Sequence, residues 1–180
     1  GGTVVINGAE GEPGSAKDMA LLQTRPHLVL EGALAVADAI RAREVVIWLH
    51  ESAGASRASM AEAVRERRDE LNVRVRMLLA PEGYVGGEAS AVISAVRGGP
   101  ALPQFSRDRV RPWGEGPAVL VHNAETQARL GLLALGGDAV ATSLVTVAES
   151  AAPLDFVRRT VLETDATMTF ADVLATAGAP

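Results

Sequence analysis

The sequence predicts an α/β fold, a parallel sheet with helices on both faces, followed by a small β-then-α unit. Three observations carry that prediction. Short apolar runs at Val4–Ile6, Val45–Leu49, Val73–Leu79 and Val119–Val121 are separated by segments of helical period, which is the alternation that crossover helices on a parallel sheet produce. Hydrophobic residues make up 48% of the chain and aromatics only 3%, so the core is built from Ala, Val and Leu, the small and β-branched residues that fill helix–sheet layers. From Asp138 onward the pattern changes to two alternating runs and one helix.

Each element follows from local signals. Val4–Ile6 ends in the turn-rich loop Asn7–Gly14. Met19, Leu21 and Leu22 mark a helix from Lys17 to about Thr24. Pro26 then stands where a first helical turn tolerates it, opening a helix near His27 to Arg41 with Leu28, Leu30, Leu34 and Ala35 on one face. After the strand at Val45–Leu49, Ser56 is expected to cap a helix running to about Leu71, with Met60, Val64 and Leu71 inward. Its run Arg65-Glu66-Arg67-Arg68-Asp69-Glu70 reads as a solvated face of alternating charge, with a basic docking patch as the less favoured reading. The loop Pro81–Gly87 precedes a short helix over Glu88–Val96. Residues 98–116 are rich in Pro, Gly and Arg and read as an irregular surface excursion. Asn123–Leu135 is a helix closed by Gly136-Gly137. Leu144–Val147 and Val157–Leu162 read as an antiparallel pair, and Thr169 caps a last helix, Phe170–Ala177, ended by Gly178. The expected division is an α/β domain over 1–137 and a separate partial unit over 138–180.

Bulk properties exclude several function classes. At 180 residues the chain suits one domain with an appendage, and a net charge of −5 argues against nucleic acid. With no cysteine, disulfides and thiolate-held zinc or iron–sulfur clusters have no ligands within the chain. No apolar run approaches the ~20 residues of a membrane-spanning helix, and no signal peptide opens the chain, so a soluble, cytoplasmic protein without direct membrane insertion is expected. Gly1-Gly2 leads directly into a strand, as in a piece of a longer chain. The three histidines have no metal spacing, and neither a Ser–His–Asp set nor a zinc-protease motif is visible, so no metal and no hydrolase is expected and no catalytic residue is assigned.

Candidate site residues cluster in loops at the carboxyl ends of predicted parallel strands, where such folds bind ligands. In Asn7–Gly14, three glycines allow close backbone approach, while Asn7, Glu10 and Glu12 supply polar contacts. Two carboxylates suit hydroxyls, a ribityl or ribose chain, or the donor edge of a ring better than a bare phosphate; the plainer reading is a turn whose acids face water. Gly86-Gly87 before a helix can offer amides to a phosphate. Glu88 is also what the helix dipole favours on structural grounds, and Tyr84 either packs on a flat ring or belongs to the core. Asn123 is a site residue or simply the cap of the helix it precedes. His27 reads as structural, whereas His50 lies nearer the ligand edge.

Taken together and in order, these segments resemble the FMN- and NADH-binding flavoprotein subunit of respiratory complex I and its relatives in NAD-reducing hydrogenases and formate dehydrogenases. Asn7, Glu10, Gly11, Glu12, Pro13, Gly14, Lys17 and Asp18 keep that family's Asn-Ala-Asp-Glu-Gly-Glu-Pro-Gly loop and the Lys-Asp that follows. Pro26-His27-Leu28 and Glu31-Gly32 continue the pattern. Gly83-Tyr84-Val85-Gly86-Gly87-Glu88 is similar to Gly-Ala-Tyr-Ile-Cys-Gly-Glu-Glu, and His122-Asn123-Ala124-Glu125-Thr126 to Asn-Asn-Val-Glu-Thr. The resemblance spans about Thr3 to Leu135, and the tail from Thr142 is similar to the start of the family's soluble-ligand-binding β-grasp unit.

The resemblance implies an FMN site lined by Asn7, Glu10, Tyr84, Gly87, Glu88, His122 and Asn123, with Glu12 facing the nicotinamide nucleotide. It further implies hydride transfer from NADH to FMN and electrons passed onward to an iron–sulfur subunit or domain. Departures accompany it: Ala9 stands for the family's Asp, Ala89 for the second Glu, and His122 for the first Asn. The family's glycine-rich flavin loop, expected before Gly1, and its four-cysteine motif are not in the sequence. The chain is therefore expected to be a divergent, truncated member, and the alternative expectation is a non-catalytic paralogue or fragment serving as a binding or scaffold module without cofactor.

Overall fold

The computed structural model describes residues 1–104, 116–138, 142–152 and 155–179, apart from the side chain of Tyr84. The expected excursion over 98–116 falls mostly outside them. In chain order the elements are β1 (Thr3–Asn7), α1 (Lys17–Thr24), α2 (Pro26–Ala39), β2 (Glu44–His50), α3 (Gly54–Glu66), β3 (Arg74–Ala80), α4 (Ala89–Val96), β4 (Val119–Asn123), α5 (Ala124–Ala134), β5 (Thr142–Ala152), β6 (Asp155–Asp165) and α6 (Phe170–Ala177), with 3₁₀ turns at Arg68–Glu70 and Tyr84–Gly87.

The first four strands form one sheet in the order β3-β2-β1-β4, every pair parallel. The two central strands are the most continuously apolar runs, TVVI and VVIWL, because both of their faces are covered. On one face Val4, Ile6, Val45, Ile47 and Leu49 pack with Leu22, Val29, Leu30 and Met60 from α1, α2 and α3. On the other Val5, Val46 and Trp48 pack with Val92 of α4. Full burial of one such aliphatic side chain stabilises the fold by about 1.5–3 kcal/mol relative to its exposure. The edge strand β3 tolerates arginines. Arg76 reaches across to Glu44 of β2 at 2.8 Å, so its charge is matched where the strand is half-buried.

Helices α2 and α5 cross backbone to backbone. A Cβ at Gly32 would lie 2.8 Å from the nitrogen of Gly131 and one at Gly131 would lie 3.1 Å from the nitrogen of Gly32, so only glycine at both positions allows this approach. Gln127, fully buried in the same crossing, has no hydrogen-bond partner for either amide atom among the described residues.

Pro26 sits at the start of α2 as expected. The predicted third helix differs in its bounds. It begins at Gly54, two residues before Ser56, and stops at Glu66. Ser56 is no cap: it is 1% exposed inside the helix, its hydroxyl accepting from Gln23 Nε2 at 3.3 Å. The chain tightens after Arg67 into the 3₁₀ turn, so Leu71 lies beyond the helix and is not among the buried core residues. Arg67 explains the stop, turning to Glu31 of α2 at 2.7 Å and to Glu70 at 3.1 Å. The charged run is thus a paired surface, as the preferred reading of the sequence has it.

Beyond the sheet, β5 and β6 form an antiparallel hairpin, longer than the alternating runs alone suggest. Thr169 and Asp172 make a reciprocal capping box at the start of α6, and Gly178 ends it at φ 68°.

Leucine at position 127, of similar volume to glutamine, removes two buried polar atoms that have no partners among the described residues. Gln127→Leu is expected to raise the unfolding free energy by about 1–2 kcal/mol, read as a higher urea midpoint at unchanged slope. An unchanged or lower midpoint would mean that the amide is satisfied.

Candidate functional site

In the strand order β3-β2-β1-β4 the chain proceeds from β1 outward in one direction and later returns to the other side of β1. The switch point lies between β1 and β4, and crevices at the carboxyl edge of such a point are where open α/β sheets take ligands. Asn7 and Asn123 are register partners at that edge, with His122 beside Ile6 one residue earlier.

Two loops are joined there. Asn7 donates from Nδ2 to the Gly87 carbonyl at 2.8 Å, and its Oδ1 accepts from the Ala9 amide at 3.2 Å. Trp48 donates its buried indole N–H to the Gly86 carbonyl at 2.8 Å. Both glycines are required by space. A Cβ on Gly86 would stand 2.6 Å from the Pro81 carbonyl oxygen, and one on Gly87 would overlap the carbonyl oxygen of Ala9. The loop after β1 and the 3₁₀ turn before α4 therefore form a single wall. Of Tyr84 the backbone belongs to this turn, while its side chain lies outside the described part.

Several predicted site residues carry structural bonds. Glu88 is the N-cap of α4, its carboxylate accepting from the amides of Ser90 at 2.9 Å and Ala91 at 3.1 Å and from the Ser90 hydroxyl. Asn123 caps α5 by accepting from the Thr126 amide at 2.9 Å and hydroxyl at 2.6 Å. Glu10 accepts from the Ser15 hydroxyl and, at 3.4 Å each, from the amides of Asp18 and Met19 at the start of α1. The structural readings of Glu88 and Asn123 are realised. Their amide and carboxyl groups have further hydrogen-bonding capacity that one capping role does not exhaust.

Behind this edge lies a partly buried ionic network centred on Asp18. Asp18, 5% exposed, pairs with Lys17 at 3.0 Å and accepts the Glu125 amide at 2.9 Å, and Glu125 pairs with Lys17 at 3.4 Å and Arg129 at 2.8 Å. Burial raises the Asp18 pKa above the usual carboxylate value, outweighing the opposing pull of Lys17. For Lys17, burial works against the charge, but Asp18 and the nearby glutamates exceed it and the pKa is raised. His122 is different: its Nδ1 is buried without a partner among the described residues, and burial lowers its pKa.

Glu12, further along the first loop, lines a cleft of about 440 Å³ at the carboxyl ends of β1, β2 and β3. Glu10, His50, Ser52, Glu82 and Arg159 line it too. His50 contacts the Pro81 carbonyl at 3.0 Å through Nδ1. A carbonyl only accepts, so Nδ1 is the donor in this contact. Glu82 accepts the Ser52 amide at 2.9 Å. Sequence reasoning places His50 near this edge but misses Ser52, Glu82 and Arg159. Arg159 has no local signal, because its contact with the first loop, a 2.8 Å hydrogen bond to the Pro13 carbonyl, spans 146 residues.

Fold and site together define a parallel α/β protein with a polar, glycine-walled edge at its switch point. The family model of the Nuo51 FMN-binding domain matches residues 2–131, and the chain belongs to that family. It is 26% identical over 153 residues to the F subunit of NADH-quinone oxidoreductase in Mycobacterium bovis, covering 74% of this chain and 33% of that one. To the Aquifex aeolicus counterpart it is 27% identical over 140 residues, covering 70% and 32%. The chain thus spans about a third of the length of the curated relatives it matches. Among solved structures, a chain of an NAD+-reducing [NiFe]-hydrogenase in the H2-reduced state superposes with a TM-score of 0.77 at 24% identity, covering 99% of this chain and 33% of that one.

Two outcomes test this geometry. Gly87→Ala is expected to cost about 2–4 kcal/mol of stability, because the new methyl displaces the Ala9 backbone and with it the Asn7 bond, whereas Gly54→Ala, in open space within α3, should be neutral or stabilising. The depressed pKa of His122 means that its contribution is complete above about pH 6.5 and is lost as pH falls towards the folded-state value. Melting temperatures from about pH 7 to about 5 should therefore drop further for the native protein than for His122→Asn; parallel curves would contradict the assignment.

Proposed function

We propose that this chain is the flavin- and nicotinamide-nucleotide-binding module of an NADH-oxidising flavoprotein that passes electrons to an iron–sulfur partner. The observation that carries the reading is the convergence of the three family-like segments, residues 7–14, 83–88 and 122–126, at one carboxyl edge of the sheet.

The residues fit FMN. Among the described residues, the buried Nδ1 of His122, one residue from the edge, has no partner, and Asn123 Nδ2 makes no hydrogen bond. Gly87 leaves no side chain between the two loops. In this reading Asn7, Glu10, Tyr84, Gly87, Glu88, His122 and Asn123 hold the flavin, and Glu12 meets the nicotinamide nucleotide. Bound FMN supplies the hydride-accepting and one-electron-donating chemistry. The protein orients the ring through the joined loops, and the structured edge excludes water from one side. These 180 residues contain no cysteine and so supply no thiolate ligand to an iron–sulfur cluster.

A second reading, a binding or scaffold module without cofactor, is favoured by one observation: Glu10, Glu88 and Asn123 are already engaged in capping helices. Flavin titration separates the two. FMN fluorescence should be quenched on binding, NADH should bleach the bound flavin, and Asn7→Ala should weaken FMN by at least about tenfold, a loss of about 1.4 kcal/mol or more. An FMN-independent melting temperature at concentrations well above micromolar favours the second reading.

A further inference from the structure

The cleft beside the Asn7–Gly14 loop holds three carboxylates, and their bonding separates them. Glu10 already accepts bonds from the start of α1, and Glu82 from the amide of Ser52. The Glu12 carboxylate makes no hydrogen bond or ion pair with the described residues. On the same cleft, Arg159 uses Nε on the Pro13 carbonyl, and its guanidinium lies 5.3 Å from the centre of the Phe156 ring. Its two outer nitrogens have no partner among the described residues. The Phe156 ring lies beside Gly14 of the first loop.

A free carboxylate and a free guanidinium edge therefore line one space without pairing with each other. The Pro13 bond and the aromatic face hold the exposed arginine beside the cleft, which lowers the side-chain entropy lost when a ligand arrives. The chemistry that satisfies both groups is a molecule with hydroxyl donors and an anionic group a few ångströms apart. A guanidinium edge matches phosphate oxygens two at a time, and a lone carboxylate matches a vicinal diol. The volume of about 440 Å³ is in the range of small-ligand sites.

We propose that Arg159 is the phosphate-binding residue of this cleft, and that the cleft receives the ribose–phosphate portion of the nicotinamide nucleotide, with Glu12 accepting its hydroxyls. The inference rests on the NADH reading above and adds a residue from β6, outside the part of the chain matched by the family. Specificity for the phosphorylated ligand then comes from the hairpin rather than from the sheet domain.

The test measures dissociation constants of the 180-residue chain for NADH, reduced nicotinamide mononucleotide and reduced nicotinamide riboside by ligand-observed NMR, with FMN titrated separately. Arg159→Gln should weaken NADH about tenfold and Arg159→Lys about threefold, with the phosphate-free riboside unchanged. Equal NADH affinity in Arg159→Gln overturns the proposal. So does an equal loss for the riboside, since an arginine that merely braces the Pro13 loop would weaken both ligands alike. FMN binding without NADH binding in the native protein overturns it while leaving the flavin reading intact. Binding of neither removes the reading and the proposal together.

Discussion

The contact on which the site depends is the approach of Gly87 to the backbone of Ala9, locked by the hydrogen bond from Asn7 to the Gly87 carbonyl. It ties the loop leaving β1 to the turn that leads into α4. Two segments 80 residues apart thereby become one rigid wall. Glycine is needed because the backbones touch, and asparagine because a carbonyl and an amide must both be met by one short side chain. Trp48 adds a second tie from β2 to the adjacent Gly86, so the wall is anchored to both central strands.

The rest of the molecule positions that wall. Helices on one face bury an aliphatic layer, while α4 covers the other, and the short α4 is held at its start by Glu88 and joined to the wall through the turn. The ionic network at Asp18 couples the start of α1 to the first turn of α5, across the switch point. Holding Asp18 out of water carries a desolvation cost, which raises its pKa despite the pull of Lys17.

Much of this is legible in the sequence. The parallel sheet follows from strand-like runs alternating with helical segments, and the two central strands are recognisable because continuous apolarity signals burial on both faces. Pro26, Thr169 and Gly178 mark helix ends through local chemistry that needs no tertiary information. The limits of the third helix are not legible at either end, for one reason: tertiary partners decide them. Ser56 points inward to Gln23, and Arg67 turns away to Glu31. Among site residues, the loops announce themselves by their glycines and acids. Which acids are spent on caps and which are free is not legible, since Glu10, Glu82 and Glu12 look alike in sequence and differ only in what the fold brings to them. Arg159 is invisible for the same reason.

In the proposed reading, the joined loops at the β1–β4 switch point form the flavin site. Amide hydrogen exchange with and without FMN addresses it most directly. Ligand protection is expected to concentrate in residues 7–12, 84–90 and 122–126, with little change in the β5–β6 hairpin. Protection confined to other segments, or none at flavin concentrations that saturate binding, would contradict it.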